Sequence, residues 1–170
     1  MNFKDVIQMA IKEYMNDLHK TLEGLSKEER RFQPDAASNH IDFTVWHMAR
    51  VEDEWIHGFA QQTNTIWKRD EWYKTLNLPK DESGYEYSSQ QVINFPDFDF
   101  KTLMNYYSSV SHATLQYLDS LADKNLNTCP DNNRLPGYTI GKMFGHIIVE
   151  ESQHLGQVSY LRGLQRGLNN

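Results

Sequence analysis

Four long stretches of this chain repeat their apolar residues with the period of a helix. No stretch alternates with period two for long enough to argue a strand. In the first, Ile7, Ala10, Tyr14, Leu18 and Leu22 recur at steps of three and four, which keeps them on one stripe. The spacing predicts helices near 3–24, 42–60, 99–121 and 139–166. Gly24 fits a helix stop, Ser26 and Glu29 fit a capping box, and Thr139 fits the N-cap of the last helix. Each stripe needs another to bury it, so the predicted fold is all-α, an antiparallel four-helix bundle. A long connection, about 61–98, separates helices two and three. It is rich in aromatics, and "IWKRDEWYKTL" within it reads as a short helix.

A chain of 170 residues suits one domain, taken as 1–170. The formal charge of -6 and the lack of any dense Lys/Arg block argue against a nucleic-acid partner. No apolar run reaches the length that spans a bilayer, so no membrane partner is expected. Lys4, Asp5, Lys12 and Glu13 fall where a signal peptide needs an apolar core. With a single cysteine, Cys129, in a loop-like stretch, the expectation is a soluble, cytoplasmic protein.

The last helix carries polar groups where its stripe should be apolar: "GHIIVEESQHLGQ" holds His146, Glu150, Glu151 and His154. Glu150 and His154 are four apart and stack on one face. A buried carboxylate must be protonated, paired or bound to a metal. Glu with His at this spacing is a half-site for a divalent ion. His47, in "VWHMARVEDEW" on helix two, is the best third ligand. Two other readings stay open. Glu150 can pair with a buried Arg50, leaving His154 a core histidine. Alternatively, Glu54–His57 and Glu151–His154 form two ExxH motifs of a di-iron site, with Glu13 or Glu23 from helix one. Helix three offers that site only Asp119.

At these residues the chain resembles the DinB/YfiT-like superfamily, including its branch of mycothiol- and bacillithiol-dependent transferases. "WHMARVEDEW", "HIIVEESQHLGQ" and "HLGQVSYLRGLQRG" carry the resemblance, which spans the whole chain in helix order. It implies a four-helix bundle with one divalent ion at one end, zinc or nickel, on His47, Glu150 and His154. Many members have His where this chain has Glu150, and the thiol-transferase branch includes members with Glu there. His146 is then a reserve ligand or an outer donor, and Glu54 an outer partner for His47.

Three protein ligands leave open positions, as in catalytic rather than structural zinc. Two reactions fit: transfer of a low-molecular-weight thiol, as co-substrate, to an electrophilic small molecule, or metal-dependent hydrolysis. A non-enzymatic stress-response metal protein is the third reading. Trp67, Trp72 and Tyr73 are expected to wall the substrate pocket. A homodimer is compatible with the resemblance.

Overall fold

A computed structural model describes residues 2–131 and 135–167. In chain order it contains α1 (Phe3–Leu22), the single turn α2 (Lys27–Arg30) and α3 (Ile41–Asp53), which runs on as a π-helical turn (Glu54–Ala60). Three short helices follow: α4 (Ile66–Arg69), α5 (Trp72–Thr75) and α6 (Ser89–Ile93). Then come α7 (Phe100–Ser120), a 3-10 turn (Asp123–Asn127) and α8 (Ile140–Arg166). Among the described residues there is no strand, so the fold is all-α. None of their helices is long and apolar enough to cross a membrane.

Local chemistry sets most helix ends. Ser26 and Glu29 form the capping box, Thr139 accepts from the Lys142 amide, and Asp99 accepts from the Thr102 amide. The chain leaves α1 through Gly24 at φ +71°, a conformation that favours glycine. The start of α3 departs from expectation: its N-cap is His40, whose Nδ1 accepts from the Phe43 amide at 3.0 Å. The predicted short helix "IWKRDEWYKTL" is two separate turns, α4 and α5, broken at Glu71 with φ 56°.

The four long helices pack in a ring, α1 on α8, α8 on α3, α3 on α7 and α7 on α1. Lys4 at the start of α1 donates to the Leu121 carbonyl just past the end of α7, so these two are antiparallel. His47 meets α8 near Glu150 while Trp55, further along, meets His146, so α3 and α8 are antiparallel too. The other pairs run parallel. Asp53 accepts from the Tyr106 hydroxyl, and the Ala60 carbonyl accepts from Tyr117, both advancing together. Ile7 and Ile11 cluster with Met143 and Phe144, while Thr21 lies beside Ser159. The predicted antiparallel bundle is thus corrected to parallel at two of its four contacts. Because α3 and α7 point the same way, the chain must travel back along the molecule between them, and the long connection does this.

That connection also covers α3. Every residue of α3 except His47 is buried. Its charged residues therefore need partners inside the protein. Asp42 takes Arg30 at 2.9 Å. Asp53 accepts four hydrogen bonds: from the amides of Ile66 and Trp67 at 2.7 and 2.8 Å, Tyr106 at 2.9 Å, and Arg50 at 3.1 Å. One carboxylate thereby fixes the start of α4 against α3 and α7.

Candidate metal centre

His47 is the one residue of α3 that keeps some exposure, because it faces the groove between α3 and α8. Across that groove stand Glu150 and His154, one turn apart on α8. One ligand atom from each of the three lies within 4.8 Å of the others. His154 Nε2 is 3.2 Å from Glu150 Oε1, and His47 Nε2 is 4.0 Å from the same oxygen. Ligand atoms around a tetrahedral ion with bonds of about 2.0–2.1 Å lie about 3.3 Å apart. The observed separations bracket that spacing.

The outer hydrogen bonds decide which nitrogens face inward. His47 Nδ1–H donates to the Gly84 carbonyl at 2.6 Å, and His154 Nδ1–H to Gln157 Oε1 at 2.8 Å. Each ring then presents the Nε2 lone pair to Glu150 Oε1, itself an acceptor. Three acceptors facing one another repel unless a metal ion, or a proton on one imidazole, stands between them. Burial first, then the nearby His154, lowers the pKa of His47 and favours the neutral ring that a metal needs. The side chains of His47 and His154 are 15% exposed and that of Glu150 is 27% exposed, so the centre opens to solvent on one side. Among the described residues this is the one group of three or more His, Cys, Asp or Glu side chains close enough to hold an ion.

A family model described as the DinB superfamily matches residues 10–158. The chain belongs to the DinB superfamily. A crystal structure titled as the conserved protein of a locus from Enterococcus faecalis shares this fold, with TM-score 0.87 and 20% identity over 99% of each chain. No curated protein sequence matches. In this DinB-superfamily chain the triad joins the two helices that carry its most recognisable motifs.

Several expected roles fall elsewhere. Glu54 is not the outer partner of His47; the Gly84 carbonyl is. The Glu54 carboxylate lies 3.8 Å from Arg50 Nη2. His146 stands outside the triad and stacks on Trp55 at 3.8 Å between ring centroids. Arg50 serves Asp53 and Tyr106, so it leaves Glu150 to the histidines. Trp67 is fully buried against Trp46 and Tyr106, Trp72 also packs on Tyr106, and the Tyr73 hydroxyl meets Glu71. The rings that do touch His47 are Phe43 and Tyr85. The di-iron set does not assemble: Glu13, Glu23 and Asp119 are exposed, and His57 bonds Gln61.

Glu151 turns away from its neighbour into the core and accepts from the Tyr107 hydroxyl. Nearby, Tyr14 donates to Glu52 at 2.9 Å. Both carboxyls are fully buried, and desolvation raises both pKa values, that of Glu52 to about 7. Each keeps one oxygen outside hydrogen-bond geometry, and the Thr114 hydroxyl stands beside Glu52. Two adjacent glutamates on α8 thus have opposite fates. The signal that sequence reasoning passed over was Glu52, which sits in a run from Met48 to Asp53 that is buried throughout.

Proposed function

We propose that this DinB-superfamily protein binds one divalent ion, zinc or nickel, through His47, Glu150 and His154. Its activity is then transfer of a low-molecular-weight thiol to an electrophilic small molecule. The observation that carries the reading is the convergence of two imidazole lone pairs and a carboxylate oxygen, with one side open to solvent. When bound, the ion supplies positive charge that keeps a thiol as thiolate at neutral pH, where a free thiol is mostly protonated. The protein's own share is positional. Gly84 and Gln157 hold the two rings, and α8 fixes Glu150 one turn from His154. Glu150 contributes negative charge that an all-histidine set lacks, which leaves a bound thiolate more nucleophilic. The remaining task is to bring thiol and electrophile together.

The test is a panel of bacillithiol, mycothiol, glutathione and cysteine against a generic electrophile, with metal-free protein and His47→Ala as controls. A rate above both controls with at least one thiol supports the transferase reading. No such rate with any thiol removes it and moves metal-dependent hydrolysis or a non-enzymatic role ahead.

A further inference from the structure

Beside the triad, the long connection presents Tyr85, the residue after the glycine whose carbonyl holds His47. The Tyr85 ring meets the His47 ring edge to face, with centroids 5.9 Å apart and planes at 81°. Its hydroxyl oxygen accepts a hydrogen bond from Trp55 Nε1 at 3.0 Å. Trp55 in turn stacks on His146 of α8. The phenol is therefore held from the π-helical turn, and through Trp55 from α8. A phenol oxygen that accepts still has its own proton to give. Among the described residues nothing takes that proton. Tyr85 is 39% exposed, so a ligand can reach it.

A phenol keeps its proton across the neutral range, so the group remains a donor there. Glu54 lies 3.8 Å from Arg50 and Glu150 belongs to the triad, so the phenol adds a donor beside the centre without adding charge.

Resting on the metal reading above, we propose that Tyr85 is the hydrogen-bond donor for the anionic group that this centre receives, with Trp55 holding its ring in place. A thiolate, the co-substrate proposed above, is one such group. Tyr85 is then a binding residue supplied by the connection rather than by the bundle, and it selects for anions that can accept one hydrogen bond.

The test uses cobalt-loaded protein, with 2-mercaptoethanol and azide as anion probes and the ligand-to-cobalt absorption as readout. Tyr85→Phe should hold cobalt as the wild type does and bind both probes about 10–100-fold more weakly, the usual scale for a hydrogen bond to a charged group. Trp55→Phe keeps the phenol but frees its ring, and should fall between the two. Equal probe affinities in wild type and Tyr85→Phe overturn the Tyr85 assignment and leave the metal reading standing. So does a wild type that holds cobalt but binds neither probe. Loss of cobalt from Tyr85→Phe would make the residue a support for His47 and also end the assignment. A wild type that takes up no cobalt ends both readings.

Discussion

His47 Nε2 lies 4.0 Å from Glu150 Oε1, although the two residues sit on different helices about a hundred positions apart in the chain. The ion is expected to bind where these atoms and His154 Nε2 meet. His154→Ala should lose metal almost completely after dialysis, because two ligands rarely hold such an ion against water. Glu150→Gln should keep both imidazoles and bind more weakly. Metal analysis showing unchanged occupancy in His154→Ala would remove the site.

Gly84 ties the connection to the centre. It has φ +84°, and a Cβ there would lie 3.1 Å from Arg50 Cβ and 3.6 Å from His47 Nδ1. Gly84→Ala should cost about 1–2 kcal/mol from the left-handed backbone alone. By displacing the carbonyl that orients His47, it should also weaken metal binding about 10–100-fold. Calorimetric titration of the variant with zinc checks this. Wild-type affinity would mean that His47 needs no such support.

Glu52 makes stability depend on pH. In the folded protein it keeps its proton up to about pH 7, whereas its ordinary carboxyl value is 4.5. Between those values folding takes up a proton, so the Glu52 contribution falls as pH rises and levels off above about pH 7, and Glu151, raised by the same burial, adds a fall of the same sign. Glu52→Gln can still accept from Tyr14 but does not titrate. Its stability relative to wild type should rise by about 2–3 kcal/mol between pH 5 and pH 8. Urea denaturation of metal-free protein at both pH values measures this. A pH-independent difference contradicts it.

Asp53 is the densest polar junction in the molecule. Asp53→Asn removes the charge that Arg50 faces and offers amide hydrogens where four donors already point. The expected loss is about 3–5 kcal/mol, as for breaking a buried ion pair. A loss under about 1 kcal/mol in urea denaturation would show that Glu54 and Glu82 alone suffice for Arg50.

The sequence by itself determined four long helices, the capped turn at Ser26 and the N-cap at Thr139, together with the stacking of Glu150 on His154. All of these follow from residues within a turn or two of one another, where a period of 3.6 is a sufficient guide. The pairing with His47 was also legible, since a carboxylate and a histidine on an apolar stripe demand a partner. The burial of Glu151 beside Glu150 was not. Adjacent helix positions differ by about 100° in direction, and α8 carries apolar residues outward as well as inward, Val149, Tyr160 and Leu164 among them. Only the placement of Tyr107 and Glu52 decided that Glu151 is the buried one. Tertiary structure alone decided the parallel pairs, the four bonds to Asp53, and the arrival of Gly84 and Tyr85 beside His47. These depend on how the 61–99 connection folds back over α3, and no local period in the chain encodes a contact between segments that far apart.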